Sequence, residues 1–80
     1  MKRHQIESAV LSVFSTVLKQ QFKSVDGLER RSTPGWDSLK HVEIVFAVED
    51  SLAVQFTEEE MQSFDSAKRI VDVVESRHAS

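Results

Sequence analysis

Ser38 follows Asp37 where an irregular stretch gives way to an amphipathic run, just past the only proline, Pro34, and one of the two glycines, Gly35. A hydroxyl beside a carboxylate suits two kinds of chemistry. In the first, Ser38 is a nucleophile with His41 as its base, since residues three apart share a helix face. No third group stands ready to orient that histidine, and there is no glycine-rich nucleophile elbow. A chain of 80 residues also leaves little volume for a substrate pocket. No catalytic residue is therefore expected. His4, His41 and His78 are far apart, none stands in a His-x-x-x-His spacing, and cysteine is absent, so no metal site is expected either. The two isolated glycines do not make a phosphate-binding loop.

In the second kind, Ser38 accepts a modification. A serine in the first turn of a helix projects its oxygen from an exposed end. A phosphodiester placed there meets free backbone N–H groups and the positive end of the helix dipole. Asp37 suits coordination of Mg²⁺ during such a modification, because that hard cation prefers carboxylate and phosphate oxygens. Taken alone, the dipeptide is equally an ordinary N-cap.

The elements that must hold this pair are legible in the spacing of apolar residues. Ile6, Ala9, Val10, Val13, Phe14, Val17 and Leu18 predict a first helix over 4–22. Residues 23–37 lack periodicity and form a long loop, pinned by Val25, Leu28 and Trp36. Asp37 caps a second helix over 38–52. At 100° per residue its apolar side chains cover an arc of about 220°, too wide for one core-facing stripe. Ile44, Val45, Val48 and Leu52 are assigned to the core. Leu39, Val42 and Phe46 form a second stripe flanked by Glu43 and Asp50, which is either a docking face or a seat for the long loop. Val54 and Phe56 turn inward from a short link. Thr57-Glu58-Glu59-Glu60 fits a capping box opening a short helix over 58–64, with Met61 and Phe64 inward. Ala67, Ile70, Val71 and Val74 mark a last helix to about Arg77, with His78–Ser80 fraying. The fold class is all-α: a small four-helix bundle of three longer helices and one short one.

Charge is unevenly spread over the net −3. Residues 1–31 carry six Lys and Arg against three acids, whereas 41–67 carry seven acids and no Lys or Arg. An acidic half points to a basic protein partner and away from nucleic acid. No run approaches the roughly twenty apolar residues of a membrane span, and no signal-type segment follows the basic start. One domain over 1–80, cytoplasmic and monomeric, is the expectation.

The segment Asp37-Ser38-Leu39, continuing through Val42-Glu43-Ile44-Val45-Phe46-Ala47-Val48-Glu49-Asp50, closely resembles the acyl carrier proteins. The resemblance extends through Phe56, the Thr57–Glu60 helix start and Asp65-Ser66-Ala67, covering roughly residues 4–77. It implies that a phosphopantetheinyl transferase attaches phosphopantetheine to Ser38, with Asp37 as the adjacent acid. The arm's thiol then holds acyl groups for partner enzymes of fatty-acid, polyketide or related specialised biosynthesis. It implies a partner surface of Leu39, Val42, Glu43, Phe46, Glu49 and Asp50, met by basic docking patches. Val45, Val48, Phe56 and Met61 match positions where the family can open a cleft for an acyl chain; plain core packing is the alternative for all four.

Gly-Trp-Asp-Ser-Leu with Lys40 and His41 departs from the housekeeping fatty-acid carriers, which usually place an acid after the motif. A specialised free-standing carrier fits better. A peptidyl (aminoacyl) carrier and an unmodified carrier-like interaction module are the alternatives. Lys40 and His41 are expected to weaken the acidic surface near the arm and to bear on partner choice.

Overall fold

The computed structural model describes residues 2–79, with side chains through Arg77. Four α-helices run in the order α1 (Arg3–Leu18), α2 (Ser38–Leu52), α3 (Glu58–Ser63) and α4 (Ala67–Ala79), with a 3-10 turn at Arg30–Ser32. There is no strand among the described residues, only an isolated antiparallel bridge between Glu29 and Ser66. The all-helical bundle agrees with the periodicities. Helix α4 continues through His78 to Ala79, two residues past the expected end, and Ser80, the rest of the segment expected to fray, lies outside the described residues.

Helix α1 packs against α2 and α4. Ile6, Val10 and Phe14 from α1, Ile44 and Val48 from α2, Phe64, and Ile70, Val71 and Val74 from α4 are fully buried. Each such side chain contributes about 1.5–3 kcal/mol on leaving water. At the rim, Arg3 joins α1 to α4 by bonds to Asp72 (2.8 Å) and Glu75 (3.0 Å).

Helix α1 stops four residues short of the expected end. Lys19 takes a left-handed conformation, φ 55 and ψ 43, which closes the helix. The Gln20 amide then donates to the Pro34 carbonyl at 2.9 Å. Phe22 sets its ring edge-on to Phe14, with centroids 6.4 Å apart. These tertiary contacts outweigh the favourable helix propensities of Lys and Gln, as tertiary context commonly does.

The long loop is fastened at both levels. Val25, Leu28 and Trp36 are buried, as expected of pins. Its backbone also bonds the junction of α3 and α4: Ala67 N–H donates to the Leu28 carbonyl, and Arg30 N–H to the Asp65 carbonyl, each at 2.9 Å. Gly35, at φ +90, turns the chain into Trp36 through a conformation that side chains with a Cβ rarely adopt.

Candidate functional site

Ser38 is the first residue of α2. Asp37 precedes it in extended conformation and caps the helix, its carboxylate accepting the Lys40 N–H at 2.9 Å. The Asp37 carbonyl accepts the His41 N–H at 2.8 Å, the first bond of the helix. Asp37 thus does the capping, and the Ser38 hydroxyl is left exposed and uncommitted to the backbone. Its partner is Arg30, whose Nη2 donates to Ser38 Oγ at 3.2 Å.

Beside Ser38 lies a cleft of about 670 Å³ lined by Arg30, Trp36, Asp37, Ser38, Asp65 and Ser66, among others. Its walls come from three parts of the chain: the 3-10 turn, the start of α2, and the α3–α4 junction. Ser66 caps α4, its Oγ accepting the Arg69 N–H at 3.1 Å. The exposed hydroxyl, the guanidinium against it and the open space suit a covalently attached phosphate. A phosphate needs a free oxygen to bond, cationic donors and room. Arg30 was not among the residues singled out from the sequence. It sits eight positions before Ser38 in an aperiodic loop, and no spacing rule links the two. Among the described residues, no group of three or more His, Cys, Asp or Glu is placed to hold a metal ion.

The second stripe of α2 faces solvent. Leu39 is 69 % exposed, Phe46 61 % and Val42 37 %. The long loop therefore does not cover it; its own apolar residues are spent elsewhere in the core. Glu43 and Asp50 are exposed on α2, and Glu43 pairs with Lys40 at 3.2 Å. Glu49 is placed differently from these acids. It is half-buried, and its carboxylate accepts the Phe56 N–H at 2.8 Å, tying the link after α2 back to the helix. Val45 and Val48 are sealed in the core, whereas Phe56 and Met61 are half-buried against it.

His41 overturns an expectation. It is not part of the outer surface near Ser38 but is buried, at 6 % exposure. The Trp36 indole N–H donates to His41 Nδ1 at 3.0 Å, and the rings stack with centroids 6.0 Å apart. The indole can only donate, so Nδ1 accepts and the ring proton sits on Nε2. Nε2–H then donates to the Met61 carbonyl at 2.7 Å. A polar residue within the apolar arc of α2 is buried because both ring nitrogens find partners there. Trp36 extends the network by meeting Phe14 edge-on, with centroids 4.8 Å apart. Lys40, by contrast, is partly exposed and pairs with Glu43, so it does offset charge on the acidic face.

Helix α3 is short but well tied. Thr57 Oγ1 accepts the Glu60 N–H at 3.1 Å, and the Glu60 carboxylate accepts the Thr57 N–H at 2.9 Å, completing the expected capping box. Glu60 also pairs with Arg77 of α4. The Thr57 N–H holds the Glu60 carboxyl below its ordinary range; burial opposes it, and the Arg77 guanidinium adds to the lowering. Arg77 lies 5.9 Å over the Phe56 ring, and Phe56 meets Phe64 edge-on.

No family model matches the chain. A comparison with curated proteins finds "Acyl carrier protein 3" of Ralstonia nicotianae, 35 % identical over 78 residues, covering 98 % of this chain and 82 % of that protein. An alignment of that extent runs through the helical bundle and across the Asp37-Ser38 site, and from it the chain belongs to the acyl carrier protein family, whose members are carriers rather than enzymes.

Proposed function

We propose that Ser38 carries phosphopantetheine and that the chain delivers acyl intermediates to enzymes of fatty-acid, polyketide or related specialised biosynthesis. The thiol of that group supplies the thioester chemistry that a chain without cysteine cannot offer by itself. The observation that carries the reading is the division of labour at the start of α2. Asp37 satisfies the helix end, and Ser38 keeps an exposed hydroxyl. Family membership supports the same role.

In this reading the chain acts as a single, monomeric carrier domain in the cytoplasm. Leu39, Val42 and Phe46 form the apolar centre of a docking face, with Glu43 and Asp50 drawing in partners that present basic patches. Partners include a phosphopantetheinyl transferase, which loads Ser38, and the enzymes that charge or consume the cargo. Val45 and Val48 serve packing; an acyl chain folding back onto the bundle would meet Phe56 and Met61 first.

The test is direct. Purified protein is incubated with coenzyme A, Mg²⁺ and a broad-specificity transferase, and its intact mass is recorded. A gain of one phosphopantetheine by the wild type and none by Ser38→Ala is expected. No gain by the wild type rejects the carrier reading, and a gain that survives Ser38→Ala rejects the site.

A further inference from the structure

We propose that Arg30 binds the phosphodiester of the group carried on Ser38, seating the base of the arm in the cleft between the 3-10 turn and the start of α2. The inference rests on the carrier reading above and adds to it a residue outside the Asp-Ser-Leu segment.

Arg30 already touches the atom at issue. Its Nη2 donates to Ser38 Oγ at 3.2 Å, and that oxygen becomes the ester oxygen once a phosphate is attached. The non-bridging phosphate oxygens would lie two bonds away, within reach of the same guanidinium. The planar fork of arginine matches two phosphate oxygens at once, which a lysine ammonium does not. The position of Arg30 is also held by more than a loose loop. Its own N–H bonds the Asp65 carbonyl at 2.9 Å, and the Glu29–Ser66 bridge lies directly beside it.

The neighbouring charges are largely engaged with one another. Arg31 pairs with Glu29 at 3.4 Å, Lys40 with Glu43 at 3.2 Å, and the Asp37 carboxylate with the Lys40 N–H. Among the described residues the ion pairs of the chain do not include Arg30. Asp65 lines the same cleft and is exposed, a charge that opposes a phosphate there. The cleft, of about 670 Å³, leaves room for the phosphate and the first part of the arm.

Wild type, Arg30→Gln and Arg31→Gln are loaded as above, and loading is confirmed by mass. The ³¹P NMR spectrum of each loaded protein is then followed from low salt to about 1 M, where exposed charge contacts are screened over a few ångströms. The wild-type phosphodiester signal should move with salt. The Arg30→Gln signal should begin near the wild-type high-salt position and stay there, while Arg31→Gln follows the wild type. Loading should also raise the wild-type thermal midpoint by roughly 4 °C, and that of Arg30→Gln by less than half as much. Equal signals and equal gains in wild type and Arg30→Gln overturn the inference and leave the carrier reading intact. If Arg30→Gln is not loaded, the wild-type salt series decides, and a signal that ignores salt overturns the inference. A wild type that gains no mass rejects the carrier reading itself.

Discussion

His41 and Ala53 each bear on stability through an identifiable local feature, a buried hydrogen-bond pair and a left-handed helix end. His41 satisfies the buried Trp36 N–H on one side and the Met61 carbonyl on the other. Truncation would leave the Trp36 N–H unpaired inside the protein, open a cavity beside it, and strip the Met61 carbonyl of one of its two donors, the Phe64 N–H at 3.3 Å remaining. An unmet buried group costs about 1–3 kcal/mol, so with the cavity His41→Ala should destabilise the chain by about 2–4 kcal/mol in urea unfolding. A loss under about 0.5 kcal/mol would show that the pair is solvated instead. Ala53 ends α2 in a left-handed conformation, φ 54 and ψ 45, while its N–H caps the Glu49 carbonyl. That conformation strains any residue with a Cβ, by roughly 1–2 kcal/mol. Ala53→Gly should therefore gain about 0.5–1 kcal/mol after glycine's larger chain entropy is set against the relief. A neutral or destabilising result in the same unfolding assay would mean that the backbone there is relaxed.

At the scale of elements, α3 depends on its ends more than on its length. Six residues cannot hold a helix by propagation alone. The capping box at Thr57, the Glu60–Arg77 pair and the His41 bond to Met61 hold it from three directions. The Glu60 carboxyl is depressed in the folded state. Its contribution is therefore present above the unfolded-state pKa and lost as pH falls through the lower folded value. Amide exchange, corrected for intrinsic rates, should show the Thr57 and Glu60 N–H groups losing protection at acid pH before the core of α1 does. Glu60→Gln should remove that early acid step. Simultaneous loss along α1 and α3 in both proteins would place the weak point elsewhere.

For the whole molecule, the division of charge and exposure on α2 is what the proposed docking rests on. The apolar stripe of Leu39, Val42 and Phe46 lies open beside Glu43 and Asp50. The double reversal Glu43→Lys with Asp50→Lys should slow association with the transferase, and the wild-type rate should fall as salt rises. Neither acid is buried, so the unfolding midpoint should hold to within a degree or two. Loading kinetics that are unaffected by both charge reversal and salt would remove electrostatic docking from the account.

Much of this was legible in the sequence because helices announce themselves through local periodicity. The core stripes of α1, α2 and α4, the Thr57 capping box and the Asp37 cap follow from residues three or four apart, and the structure has them all. The Asp-Ser-Leu segment likewise singled out Ser38 and its neighbour without any coordinates. What depends on residues distant in sequence could not be read that way. Lys19 ends α1 early because Gln20 meets Pro34 and Phe22 meets Phe14. His41 reads as a polar break in an apolar arc until Trp36 and Met61 are brought to its two nitrogens. Arg30 is one cation among several in an aperiodic loop until its backbone bond to Asp65 sets it against Ser38. Local spacing determined which segments are helices and which serine stands at an exposed helix start. Tertiary structure alone decided which polar side chains surround that serine, because hydrogen-bond partners in a folded chain are chosen by distance in space.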